Sequence, residues 1–131
     1  MRPSRVRHYV IAAQDLDAVC DEIYETLELA PTAKDGPDPT LAFGFRTTMM
    51  RIGTTMLEVV SPIRERHQLQ DFFAQRGGDG GFMVVMQTYD DDALLARAAP
   101  EGHALAFEIK DFQGQHLMQF DPATFGTRFI R

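Results

Sequence analysis

The sequence predicts an α+β protein: two βαβββ modules forming one curled, eight-stranded mixed sheet. Two observations carry this. The order strand, helix, then two or three strands occurs twice along the chain. The chain also matches itself at a fixed offset of 75 residues: His8 to Ala18 (HYVIAAQDLDA) lies against Met83 to Ala93 (MVVMQTYDDDA), so that Asp15, Asp17 and Ala18 fall on Asp90, Asp92 and Ala93. Such a repeat is read first, because missing it misassigns the whole fold. Four strands with one helix leave a sheet face uncovered, so two modules are expected to pair, build a common core and leave a shared concave face. At 131 residues the chain is read as a single domain over 1–131, with module one at 4–76 and module two at 81–131.

The elements follow from pattern. Arg5 to Ala13 (RVRHYVIAA) is rich in Val, Ile and Tyr and reads as a strand. Asp15 is an N-cap with Asp17 in the first turn, and Leu16, Val19, Cys20, Ile23 and Leu27 recur at helical spacing, giving an amphipathic helix over 16–28. Pro31 and the stretch 34–39 (KDGPDP) form a loop. Two or three strands follow, about 41–46, 47–52 and 54–60, the last pair joined by a tight turn at Gly53-Thr54 and ended by Pro62. A short helix is expected over 65–76, carrying Leu69, Phe72 and Phe73 on one side. The glycine-rich RGGDGG at 76–81 reads as the most flexible stretch. Then come a strand at 82–87, a helix capped by Asp in the run Asp90-Asp91-Asp92, strands at 103–112 and 114–120 joined near Gln113-Gly114, a turn at 121–126 and a last short strand at 127–131.

Composition narrows function. Hydrophobic residues make up 44% and charged residues 24%, the profile of an ordinary globule and not of a disordered tail. Thirteen basic against nineteen acidic residues give a net charge of -6, which argues against nucleic acid as the partner. No run approaches the roughly 20 apolar residues of a membrane span, so no membrane partner is expected. The N-terminus MRPSRVRHYV lacks the apolar region of a secretion signal. The single cysteine, Cys20, allows no internal disulfide and no Cys-based zinc site. Together these give the expectation of a cytoplasmic protein. RGGDGG is not a phosphate loop, since no Lys-Ser/Thr follows it. The seven methionines, among them Met49, Met50, Met56, Met83 and Met86, are either core filler or the lining of a soft apolar pocket.

Two segments carry a resemblance. RHYVIAAQDLDAV opens module one and TMLEVVSP, 55–62, closes it. In these the chain resembles the vicinal oxygen chelate superfamily, the glyoxalase, bleomycin-resistance and extradiol-dioxygenase group. Its members open with a His-bearing strand and close module one with a Glu-bearing strand followed by Pro. FDPATFGTRFI, 120–130, is similar to a turn of the epimerase and lyase-like branch. The resemblance implies a glyoxalase-like fold, a homodimer, and a small oxygenated organic molecule bound or transformed in the cup between the modules. It implies His8 and Glu58 as the module-one metal ligands and catalytic groups, with Val10, Met56, Met83 and Arg131 against the substrate. Imidazole and carboxylate suit a divalent transition metal.

Module two departs from that pattern. Met83 stands where a first-strand ligand is expected, and Arg131 falls near the last-strand position, where its permanent charge cannot ligate a cation. The metal site therefore reads as degenerate, and the cofactor is either none or one divalent metal. Two readings stay open: a binding protein for a small organic ligand, or a lyase, isomerase or epimerase using His8 and Glu58. In either, Arg131 could supply a fixed positive charge in place of the metal. His103, His116 and Asp121 are the other side chains of module two that a rearranged site could use, and His67 reads as surface.

Overall fold

The computed structural model describes residues 4–32, 41, 43–63, 68–121 and 129–130. The chain divides into two compact units, one of Tyr9–Phe82 and one of Met1–His8 with Met83–Arg131. Strand β1, Arg5–Ala12, contributes a half to each.

In the first unit, α1 (Leu16–Leu27) starts at Asp15, whose carboxylate accepts the Ala18 N–H at 3.1 Å. Aspartate here answers one of the four N–H groups that a helix start leaves unbonded. The helix ends where Glu28 turns left-handed, at φ 57°, its N–H bonding the Tyr24 carbonyl. The apolar stripe packs as expected: Leu16 is buried with Ala13, Met50, Leu57 and Val59, and Val19, Cys20 and Ile23 lie against them. Leu27 departs from the expected stripe and is 60% exposed. Strands β2 (Phe45–Ile52) and β3 (Thr55–Pro62) form an antiparallel hairpin in register from Ile52 opposite Thr55 to Phe45 opposite Pro62. Its two-residue loop puts Gly53 at φ 58°, a conformation that suits glycine at the first loop position. The order is β2-β3-β1. Helix α2, Gln68–Arg76, buries Leu69 and Phe73.

In the second unit the order is β4-β7-β6-β5. It comprises β4 (Gly80–Gln87, which begins in the first unit), α3 (Asp91–Ala98), β5 (Leu105–Phe112), β6 (Gln115–Phe120) and β7 (Phe129–Ile130). Strand β7 runs parallel to β4 and antiparallel to β6. Asp90 caps α3 through the Ala93 N–H at 3.0 Å. Pro100 follows in a single 3₁₀ turn that Gly102 closes at φ 77°. The β5–β6 loop is Gln113-Gly114, both at positive φ, the pair of angles a two-residue hairpin with matching twist demands.

The internal repeat appears in the element bounds: β4 starts and ends 75 residues after β1, and α3 starts 75 residues after α1 with its own Asp cap. The α+β class and the strand–helix order stand. The count of eight strands does not: the described residues form seven. The strands expected at 41–46 and 47–52 are one strand beginning at Phe45, because Gly44 turns the chain at φ 81° with its N–H on the Leu41 carbonyl. On the side of β2 away from β3, among the described residues, Pro31 bridges Met50. RGGDGG also differs from expectation, since Gly80 and Gly81 belong to β4. The Asp79 carboxylate accepts the Gln14 N–H, and the Arg76 guanidinium bonds the Asp79 carbonyl while lying over Gly80, where a Cβ would collide with it. The turn expected at 121–126 lies, past Asp121, outside the described residues, as does His67.

Candidate functional site

Glu58 sits in the middle of β3, where Leu57 to Ser61 are all buried. Alternation along the strand sends Leu57 and Val59 into the core under α1, and Met56, Glu58 and Val60 to the opposite face. Glu58 is 8% exposed. The Thr47 hydroxyl, on β2, lies 3.0 Å from Glu58 Oε1 and 3.2 Å from the Val59 carbonyl oxygen. Its one hydrogen serves either acceptor. Met49 stands directly across the hairpin from Glu58. A carboxylate this buried costs folding free energy unless hydrogen-bonded, and the Thr47 hydroxyl offsets part of that cost.

Val10 is buried on β1 and Met56 half-buried on β3, both in the unit that holds Glu58. His8 is half-buried on β1, on the same strand face as Val10, and Met83 is half-buried on β4; both belong to the other unit. Arg131 lies outside the described residues. The resemblance implied a divalent metal held by His8 and Glu58. Catalytic zinc takes three protein ligands and the iron facial triad also three. Among the described residues no group of three or more His, Cys, Asp or Glu could hold a metal ion.

A second cluster is better defined than the sequence suggested. His116 on β6 places Nδ1 at 2.5 Å from Asp91 Oδ2, in the first turn of α3, and Nε2 at 2.9 Å from Glu108 Oε1 on β5. Its side chain is 17% exposed. The Asp91 carboxylate, then that of Glu108, hold the imidazolium above its ordinary 6.5, with desolvation pulling the other way. Both ring nitrogens face carboxylates, so in this arrangement His116 fastens three elements together and has no nitrogen left over for a proton-transfer step. The signal was present in sequence only as residue types. A two-residue loop at 113–114 with ideal pairing would set His116 opposite Asp111, but a register shift between Ile109 and Phe112 puts Met118 opposite Glu108. Glu108 and His116 become diagonal neighbours on one face.

A pH dependence follows. The folded-state pKa of His116 lies above the unfolded value, so its stabilisation is fully present below about 6.5 and is lost as pH rises through the folded pKa. Urea midpoints of wild type and His116→Gln are expected to differ most near pH 6 and to converge on the alkaline side. A gap that widens with pH would contradict the pairing.

No family model and no curated protein matches the sequence. Solved structures do match over nearly the whole chain. A hypothetical protein from Bacillus halodurans aligns with a TM-score of 0.82 at 15% identity, covering 98% of this chain and 93% of that one. Methylmalonyl-CoA epimerase from Mycobacterium tuberculosis aligns at 0.77 and 18% identity, over 95% and 84%. The Streptomyces coelicolor epimerase in complex with 2-nitronate-propionyl-CoA aligns at 0.77 and 22%, over 96% and 92%. The chain thus shares the fold of these structures, the glyoxalase-like fold that the resemblance implied. Identities this low carry the fold and no activity.

Proposed function

We propose that the protein is an isomerase of the epimerase kind, moving a proton at a carbon beside the carbonyl of a small oxygen-bearing acid or its thioester. The observation that carries the reading is the buried carboxylate of Glu58, on the β3 face turned away from α1 in a chain with the fold of the epimerases. In this reading Glu58 accepts the α-proton, and the His8 imidazole returns a proton. Val10, Met56 and Met83 are the proposed apolar contacts of the substrate. Arg131 is the candidate for the positive charge that the developing enolate oxygen requires. No step is assigned to a metal.

The test is exchange of the α-proton of methylmalonyl-CoA in deuterated buffer, followed by NMR, with and without Mn²⁺, Co²⁺ or Ni²⁺. Exchange above the buffer rate is expected, reduced at least about 100-fold in Glu58→Gln. A folded protein that gives no exchange under any of these conditions overturns the reading. A second reading, a binding protein that holds a small organic ligand without transforming it, draws on the metal-ligand shortage in the described residues. Saturable binding of methylmalonyl-CoA without exchange would favour it.

A further inference from the structure

Beside the His116 cluster, and wholly within the second unit, lies a cavity of about 240 Å³ whose wall includes Arg7, Gln87, Asp91, Gln115 and His116. Alternation along β1 puts Arg7 on the face opposite His8.

The hydrogen bonds of the wall fix what it can offer a guest. Arg7 Nη1 donates to Gln115 Oε1 at 2.9 Å, and Arg5 Nε donates to Gln87 Oε1 at 3.0 Å. A guanidinium has donors only, so each arginine dictates which way its glutamine amide is turned. The carbonyl oxygens face the arginines, which leaves the two NH₂ groups as donors. Arg7 is half-buried and makes no ion pair among the described residues. The one carboxylate in the wall, Asp91, already faces the His116 imidazolium. The cavity therefore presents a guanidinium and two glutamine amides, beside a cluster in which Asp91 and Glu108 share the one His116 imidazolium.

We propose that this cavity binds a small organic carboxylate, with Arg7 as the charged partner and the Gln87 and Gln115 amides as flanking donors. Guanidinium and carboxylate match as a two-pronged pair. The size sets the class of ligand. At ~30 Å³ per water the cavity holds about eight waters' worth of volume, less than the ≈ 300 Å³ at which sites for larger ligands begin. A metabolite of a few carbons matches this volume.

The experiment titrates the ¹⁵N-labelled full chain with sodium succinate and with sodium lactate, and with sodium sulfate at matched ionic strength. The readout is the side-chain NH₂ resonances of Gln87 and Gln115. Saturable shifts with a carboxylate are expected, with affinity lower by about tenfold or more in Arg7→Gln. Gln87→Leu is the second variant should Arg7→Gln fail to fold, and a several-fold loss is expected there. No saturable shift, or affinity unchanged in the variant, overturns the proposal. Equal shifts with sulfate would identify an adventitious ion only and overturn it as well. Glu58→Gln leaves this binding intact, so failure here and failure of the epimerase reading are told apart.

Discussion

Met50→Ala is expected to remove about 2–5 kcal/mol of stability, the range for truncating a fully buried long side chain. Against a total of about 5–15 kcal/mol for a domain, that is a large share. Met50 is 0% exposed, stands opposite Leu57 across the β2–β3 hairpin, and belongs to the cluster that α1 covers. Strand and helix close on it from both sides, so the void left by alanine cannot collapse easily. Two controls sharpen the test in urea denaturation. Met50→Leu keeps the volume and is expected to cost under about 1.5 kcal/mol. Leu27→Ala, on the same helix stripe by sequence but largely exposed, is expected to stay within about 0.5 kcal/mol. A Met50→Ala loss no larger than that of Leu27→Ala would mean that the core is not where the structure puts it.

The second large effect concerns Thr47 and Glu58. Removing the hydroxyl in Thr47→Val takes a donor from a buried carboxylate, and hydrogen bonds to charged groups are worth about 1.5–3 kcal/mol. Glu58→Leu removes the charge that needed the donor. Adding Thr47→Val to it is expected to cost far less than Thr47→Val alone, since exchanging both polar partners for apolar ones is often close to neutral. The double-mutant cycle reads the coupling directly, and a coupling below about 0.5 kcal/mol would show that the contact carries no energy. If the double variant folds well yet gives no proton exchange, stability and activity at Glu58 are opposed, as expected of a polar group kept in a core for its chemistry.

Local chemistry made much of the fold readable. The two Asp caps, the helical stripe of α1 and the offset of 75 residues are properties of short windows, and each has its counterpart in the structure. The hairpin turn at Gly53-Thr54 was readable for the same reason, and counting back from it would have put Thr47 diagonal to Glu58. The unreadable parts depend on partners distant in sequence. Glycines at 80 and 81 look flexible until Arg76 is seen lying over Gly80. The strand expected at 41–46 dissolves because Gly44 turns the chain, and nothing in its neighbours announces that it is a corner and not a strand residue. Of the predicted site residues, Glu58 came from resemblance, while its burial and its Thr47 partner came from structure. His116 was named in sequence, but its role depends on an irregular β5–β6 register that no pattern of residue types encodes.

That irregular register has a consequence for behaviour at high concentration. Strand β5 ends the strand order on one side and β2 on the other. A flat, regular outer strand is an open template on which another chain can grow a sheet. Pairing along β5 slips twice, between Leu105 and Phe107 and between Ile109 and Phe112, and the strand carries Glu108, Lys110 and Asp111. Beside β2, among the described residues, Pro31 bridges Met50 and the Thr32 N–H donates to the Met49 carbonyl, so part of that edge is already taken. Of these two strands, one thus meets an added strand with broken periodicity and charge, the other with a segment of its own chain.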